Sequence, residues 1–542
     1  MVDLKTKTIL GLWDGHDAGV SLVQDGTLRF ALGEERLSRA KRASGFPHRA
    51  LSVCLDSCGL KASDVDVVAV PGRWGRLGAR IAEPVYRRTD PVRDPLSPAS
   101  VAARELECAV ARRPLLRALE ERGSRSVLRS RLRSWGFRAQ LLGVDHHDAH
   151  AWTARLVGGA EALIVTLDGY GDGLAGTCGG PGPGRIEVPA PQGSVALVYG
   201  AVTRLLGFGE GDEGKVMGLA ASGNPEVLAP VFQSLMDSAG CDPSLGGRKG
   251  RAHLRTHRRE DVAAALQERT EQIVLAWIEG QRHGHDKLAV AGGLFANVAL
   301  NGKLRERFAE LSVYPNMGDG GLCVGAACAA ASEYAVHPSQ EPMRDQRLPF
   351  LGPEYSEGRM EEALATSGLS FARDQSPEQT LLDSIERGAL VGRFVGRSEF
   401  GPRALGHRSI LLRADRPALT ADLGRRLERD DFMPFAPVRR HGLGSRTMTA
   451  VVEADEDLRS RCPEAVHVDG TARTQVADEH EDPGLWSLLE QAERRGIPAL
   501  INTSFNRHGE PIVETPEDAV RTFVAAGLDA MQLGPFVVRA DQ

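Results

Sequence analysis

Apolar runs of strand length recur along the chain, and each ends in a turn rich in glycine and polar side chains. The first is Thr8-Ile9-Leu10-Gly11-Leu12-Trp13-Asp14. A second run over 18–23, an Asp25-Gly26 turn and a third run over 27–32 complete a predicted β-hairpin array across 7–33. Buried-type strands are predicted again at Gln140–Val144, 162–167, Lys287–Ala291 and 390–395. Residues 75–135 are arginine-rich and read as peripheral helix, whereas the Ala- and Cys-rich stretch 322–335 reads as a buried helix. The polar, proline-bearing stretch His337-Pro338-Ser339-Gln340-Glu341-Pro342 marks a domain boundary, dividing the chain into 1–340 and 350–542.

Length changes the picture only by requiring more than one core: 542 residues imply two or three domains. A formal charge of −6 gives no case for a polyanion-binding surface, so no nucleic-acid partner is expected, and the arginines of 122–138 read as a solvated helical face. Eight cysteines lie scattered without a CxxC pair, which argues against a zinc module or a disulfide framework. With no signal-peptide core and no run of eighteen apolar residues, a cytoplasmic protein without a membrane partner is expected.

The turns carry the chemistry. After the first strand comes Asp14-Gly15-His16-Asp17, a tight turn able to present polar groups to a ligand. After Gln140–Val144 comes Asp145-His146-His147-Asp148-Ala149-His150. His146 and His150, four apart, share one helix face, a common arrangement for two metal ligands, and Asp145 is placed to cap that helix. The strand at 162–167 ends in Asp168-Gly169-Tyr170-Gly171-Asp172-Gly173, where glycines permit close approach to phosphate and aspartate serves a metal or its water. Lys287–Ala291 ends in Gly292-Gly293 and leads to Asn297, a junction where backbone can sit against an α-phosphate at a helix start. Gly207–Ala220 is a second glycine-dense segment, with Glu213 and Lys215. In the C-terminal half, Gly396-Arg397-Ser398-Glu399-Phe400-Gly401-Pro402-Arg403-Ala404-Leu405-Gly406-His407-Arg408-Ser409 follows a short strand. Phe432-Met433-Pro434-Phe435-Ala436-Pro437, His467-Val468-Asp469-Gly470-Thr471-Ala472-Arg473 and Asn502-Thr503-Ser504-Phe505-Asn506 echo it, and together they predict one anion pocket made of several loops.

This series, with Glu34-Glu35-Arg36-Leu37-Ser38-Arg39-Ala40-Lys41 and Glu213-Gly214-Lys215-Val216-Met217-Gly218-Leu219-Ala220, resembles the O-carbamoyltransferases, which carbamoylate nodulation factors, aminoglycosides and other metabolites. The resemblance covers nearly the whole chain. It implies an α/β protein: an N-terminal actin-like domain of duplicated ribonuclease-H-like halves, and a C-terminal α/β domain resembling the threonylcarbamoyl-AMP synthases. It implies that carbamoyl phosphate and ATP, the latter with Mg2+, form carbamoyl adenylate, whose carbamoyl group passes to a hydroxyl of a small natural-product or antibiotic acceptor. His16, Lys41, Glu213 and Lys215 would serve transfer, with His16 as general base or acceptor orienter. A divalent metal, Fe2+ favoured over Zn2+, would sit on His146, His150 and Asp319, with His147 the alternative ligand. Asp14, Asp168, Gly169, Asp172, Gly173, Gly292, Gly293 and Asn297 would meet nucleotide. Arg403, Arg408, Arg429, Arg473, Asn502, Ser504 and Asn506 would meet carbamoyl phosphate. A homodimer is compatible with this reading. The rival readings are a tRNA threonylcarbamoyl-transfer enzyme and a non-catalytic actin-like nucleotide-binding protein. Three residues depart from the family pattern: the lysine expected before Phe432-Met433-Pro434 is absent, leaving Arg426 as the nearest other cation, Met433 replaces an arginine, and His407 replaces an asparagine.

Overall fold

The computed structural model describes residues 7–73, 105–108, 110–111, 113–237, 240–334, 348–428 and 433–540. The proline-bearing boundary stretch and Arg429 lie outside them. The described residues form two compact units. Glu35–Lys41 groups with the C-terminal residues, so the first domain is not one continuous stretch of chain.

The N-terminal unit contains the same sheet twice. In the first, β1 (Ile9–Trp13), β2 (Gly19–Gln24), β3 (Thr27–Gly33), β4 (Val67–Pro71) and β5 (Gln140–Val144) lie in the order β3-β2-β1-β4-β5. The hairpin partners run antiparallel, while β1, β4 and β5 run parallel. The second sheet repeats this with β6 (Leu163–Gly171), β7 (Leu174–Cys178) and β8 (Ile186–Pro189). After a small ribbon, β9 (Met236–Asp237) and β10 (Gly240–Cys241), come β11 (Lys287–Ala291) and β12 (Glu310–Val313), giving the order β12-β11-β6-β7-β8. Its pairings match in sense: β6 with β7 and β7 with β8 antiparallel, β6 with β11 and β11 with β12 parallel. This is a duplicated ribonuclease-H-like, actin-type architecture, established by the connectivity itself.

The parallel strands are short and apolar because both faces are covered; Val67–Pro71 is buried at every position. The helix Leu322–Tyr334 lies directly on the first sheet, and its small residues make that possible. A β-carbon at Gly11 would stand 1.9 Å from the Cys323 carbonyl, and one at Gly325 would stand 1.9 Å from the Ala149 carbonyl of the helix His146–Gly158.

The C-terminal unit is a mixed α/β layer structure. Its strands are β13 (Phe371–Arg373), β14 (Val391–Phe394), β15 (Arg408–Arg413), β16 (Ala436–Arg439), β17 (Val452–Glu453), β18 (Thr471–Ala472), β19 (Gln475–Val476), β20 (Leu500–Ser504), β21 (Ala530–Leu533) and β22 (Phe536–Arg539). Eight of them make one sheet, β13-β22-β21-β14-β15-β20-β16-β19, and β17 pairs with β18. Alternation along the strands sorts side chains to two faces. Leu390, Ile410, Leu412 and Ile501 pack with the helices Glu357–Ser367 and Pro516–Ala525, while Val391, Leu411 and Leu500 pack with Pro377–Glu386 and Pro483–Arg494.

Candidate metal centre and arginine loops

The metal candidates are built from strand ends. Asp145 caps the helix His146–Gly158, accepting from the His147 and Asp148 amides at 3.0 and 3.3 Å, and starts the helix where the next turn brings His150 beneath His146. The two rings lie 4.8 Å apart. From β6 comes Asp168, and from the turn Asp319–Gly321 comes Asp319. His146 Nε2 is 3.3 Å from Asp168 Oδ2 and 3.6 Å from Asp319 Oδ1; for His150 Nε2 the distances are 3.3 and 3.4 Å. Four ligand atoms thus converge within 4.8 Å of one another, in a setting that is buried except for the partly exposed Asp168.

The separations test whether an ion fits. Bonds of about 2.0–2.2 Å in a tetrahedral array place ligand atoms about 3.3–3.6 Å apart, the range of the four imidazole–carboxylate separations. Asp319 Oδ1 has no hydrogen-bond partner among the described residues although it is buried. Imidazole nitrogen with carboxylate oxygen is a donor set suited to zinc or ferrous iron. Without an ion the cluster is charged unevenly: desolvation opposes protonation of His150, but the facing carboxylates of Asp168 and Asp319 outweigh it and push its pKa up to about 9.

His147 points elsewhere. Its Nδ1 lies 2.9 Å from the Thr166 hydroxyl and its Nε2 3.1 Å from the Leu174 carbonyl. A carbonyl only accepts, so Nε2 carries the proton and Nδ1 accepts from Thr166. Burial, with His146 and His150 nearby, drives its pKa down to about 3 and keeps it neutral. Both nitrogens are engaged, which removes His147 as an alternative ligand.

Asp168, expected among nucleotide contacts, is a member of the cluster. Its Oδ2 faces the imidazoles, while its Oδ1 accepts from the amides of Gly169 at 2.8 Å and Gly293 at 3.2 Å. Gly292-Gly293 is therefore tied to the cluster through one carboxylate. A β-carbon at Gly293 would stand 2.7 Å from Asp168 Oδ1, and one at Gly292, whose φ is +108°, 2.2 Å from the Leu167 carbonyl. Asp172 holds the local backbone together, its two oxygens accepting from the Arg73 and His146 amides at 2.7 and 2.9 Å. The intervening Gly171 admits the His146 ring, which a β-carbon would meet at 2.1 Å, and Gly173 closes the turn with φ +87°. Asn297 is likewise occupied. It caps the helix Val298–Arg305 through Leu300 and pairs its amide with Gln267, at 2.8 and 3.2 Å.

The first hairpin turn meets the same centre. Trp13 Nε1 donates to the His16 carbonyl at 2.6 Å and fixes the turn over buried Asp14. His16 Nε2 lies 3.1 Å from Asp319 Oδ2, and Nδ1 lies 2.9 Å from Asp17. Desolvation opposes its protonation, but Asp319 and Asp17 prevail and lift its pKa to about 9. The neighbouring cation is Arg42, 3.7 Å from Asp17 and 3.2 Å from Glu210. Lys41 is exposed and groups with the other unit. Glu213 and Lys215 open the helix Glu213–Ala220, with Lys215 3.7 Å from Asp212 and Glu213 within electrostatic reach of Arg42. Asp17, Arg42 and Glu210 are missed by sequence pattern; only their place in the same polar turns marks them.

In the C-terminal unit the arginine loop is largely self-supporting. Arg408 is fully buried over the Phe394 ring, donating to the carbonyls of Val395, His407 and Gly396 at 2.5, 3.2 and 3.0 Å. Arg397 donates to Gly352 and Leu351. Glu399 Oε1 collects the amides of Leu405, His407 and Arg408 at 2.8, 2.9 and 3.1 Å. Asn502 Nδ2 serves Gln475 and Ala404, and Asn506 Nδ2 the carbonyls of Arg507 and Glu510. Arg408, Asn502 and Asn506 thus brace these loops, while Asn502 Oδ1 and Asn506 Oδ1 are buried without a hydrogen-bond partner among the described residues; Arg403, Arg473 and Ser504 are partly exposed. Arg426, the nearest other cation to the missing lysine, is paired with Asp422 at 2.7 Å and Asp529 at 3.1 Å. His407 is packed inside, stacked on Phe350 at 3.8 Å with Nδ1 on the Arg397 carbonyl at 2.6 Å.

A duplicated actin-type unit with an imidazole–carboxylate centre, joined to an α/β unit with an arginine loop, defines a group-transfer enzyme. The chain belongs to the carbamoyltransferase family: residues 8–244 and 245–328 match the family's carbamoyltransferase N-terminus model, and 382–540 its carbamoyltransferase C-terminus model. It is 32% identical to the nodulation protein NolNO of Sinorhizobium fredii, across 97% of this chain and 79% of that one. It is 36% identical to the nodulation protein NolO of Bradyrhizobium diazoefficiens, across 73% and 79%. Among solved structures, an activator of 2-hydroxyisocaproyl-CoA dehydratase from Clostridium difficile matches with a TM-score of 0.34 at 12% identity, covering 60% of this chain and 95% of that one. Full-length HypF matches at 0.31 and 13%, covering 60% and 55%. Neither likeness bears on the chemistry. No helix among the described residues is long and apolar enough to cross a membrane.

Proposed function

We propose that this carbamoyltransferase makes carbamoyl adenylate from carbamoyl phosphate and ATP on its C-terminal unit, and transfers the carbamoyl group to a hydroxyl of a small-molecule acceptor on its N-terminal unit. The observation that carries the reading is the sharing of Asp319 between His16 and the cluster His146–His150–Asp168, which puts a proton acceptor beside a cation site.

The first stage consumes one water: carbamoyl phosphate, ATP and water give carbamoyl adenylate, pyrophosphate and phosphate. Arg403 and Arg473 would hold phosphate oxygens and Ser504 would donate a hydrogen bond, contributing position and charge stabilisation. In the second stage the acceptor oxygen bonds to the carbamoyl carbon, the bond to AMP breaks, and the hydroxyl proton passes to His16 Nε2. A divalent ion on His146, His150, Asp168 and Asp319 would supply polarisation of an adenylate oxygen. His16 accepts a proton only when neutral, and Asp319 and Asp17 oppose that form; sharing Asp319 with a cation weakens their hold. Gly293 and Gly169 donate backbone amides to Asp168 Oδ1 at the edge of the cluster.

The test is the purified protein with Fe2+ or Zn2+, Mg2+–ATP and carbamoyl phosphate, offered a panel of hydroxylated acceptors including nodulation oligosaccharides and aminoglycosides. Pyrophosphate release without acceptor, then AMP and an O-carbamoylated product with one, is the expected result. Absence of all three rejects the reading.

A further inference from the structure

The chain leaves its N-terminal unit at Glu34 and returns at Arg42; in between, Glu35–Lys41 lies within the C-terminal unit. The two arginines of this excursion are engaged with that unit's backbone. Arg36, 3% exposed, donates through Nη2 to the Gly401 carbonyl at 2.8 Å and the Glu399 carbonyl at 3.3 Å. Arg39 donates to the Ile512 and Pro511 carbonyls, both at 2.7 Å, beside the turn that Asn506 closes onto Glu510.

Arg36 completes a clamp. The Glu399 carboxylate gathers the amides of Leu405, His407 and Arg408 and so fixes the far side of the loop. Arg36 fixes the near side, at Glu399 and Gly401. Arg403 lies between the two fixed sides. Gly401, with φ +151°, has the backbone freedom to move if released. Fully buried Glu514 lies within electrostatic reach of both Arg36 and Arg408, so loss of Arg36 also removes one of two cations facing it.

We propose that Arg36 is a positioning residue for the carbamoyl-phosphate step, holding the Glu399–Arg408 loop in the geometry that presents Arg403. The inference rests on the function proposed above. It assigns to an N-terminal sequence segment a role in the chemistry of the C-terminal unit.

The test uses the full chain and acceptor-free pyrophosphate release from ATP as carbamoyl phosphate is varied. Arg36→Ala raises the KM for carbamoyl phosphate about tenfold or more, the scale on which small misplacements of a binding group act. Arg36→Lys, whose shorter side chain does not carry its ammonium to the position of Nη2, lies between. Millimolar guanidinium restores part of the loss in Arg36→Ala and none in Arg403→Ala. Backbone amides of 405–408 exchange faster in Arg36→Lys, while those of β20 do not. If Arg36→Ala does not fold, Arg36→Lys decides. A wild-type KM in the folded variant overturns the inference alone, as does an Arg36→Ala defect that tracks lowered stability and ignores guanidinium. A wild-type protein that releases no pyrophosphate overturns the functional reading first, and this inference with it.

Discussion

His16 and His150 hold opposite oxygens of one carboxylate: His16 Nε2 stands 3.1 Å from Asp319 Oδ2, and His150 Nε2 stands 3.4 Å from Asp319 Oδ1. A single side chain therefore couples the cation site to the candidate base. Asp319→Ala should lower bound metal well below one per chain and abolish transfer. Asp319→Asn, which keeps one oxygen, should weaken metal affinity about 100-fold or more, judged against the 10–100-fold cost of losing even an outer partner. Metal analysis of purified variants, with carbamoyl transfer to an accepted acceptor, measures both; stoichiometric metal in Asp319→Ala would reject the site.

Two neighbouring histidines should behave differently. His150→Ala should lose metal while remaining folded. His147→Ala leaves Thr166 and the Leu174 carbonyl without their partner in the interior, at a cost of about 2–4 kcal/mol, yet should retain metal. Thermal unfolding beside metal content separates them.

Gly171→Ala puts a methyl group where the His146 ring lies, 2.1 Å away. The ring must move, so metal binding should fall at least as far as when a ligand loses its outer hydrogen-bond partner, about 10–100-fold. A variant with wild-type affinity would show that the ring does not ligate.

The C-terminal unit is pinned by a buried ion pair. Arg393, fully buried, grips Asp482 at 2.6 and 3.0 Å. Burial would raise the Asp482 pKa, but Arg393 and then His407 outweigh it and hold the carboxyl well below the usual range. A depressed carboxylate stabilises the fold above its unfolded pKa and loses that contribution as pH falls, so this unit should weaken below about pH 4. Asp482→Asn should cost about 3–5 kcal/mol at neutral pH by stranding Arg393, and should flatten the acid limb of the unfolding curve.

Much of this was legible in the sequence. Strand ends with polar turns are local signals, and His146 and His150 are separated by one helical turn, so period and spacing sufficed. What escaped was long-range. Asp168 read as a phosphate-loop residue because glycines follow it; only the fold brings it 3.3 Å from two imidazoles. The resemblance assigns Arg408 and Asn502 to carbamoyl phosphate, and no local pattern reveals that Arg408 also binds backbone carbonyls and Asn502 also holds Gln475. Glu35–Lys41 has no compositional mark of belonging to another unit.

The repeated sheet order divides the donors between its two copies. The first copy of the motif delivers both imidazoles, from the helix that follows β5, and the second delivers both carboxylates, from β6 and from the turn after β12. Neither copy holds more than half of the donors. Each half alone therefore offers one kind of donor, nitrogen from the first and oxygen from the second, and the mixed set exists only where the two halves meet.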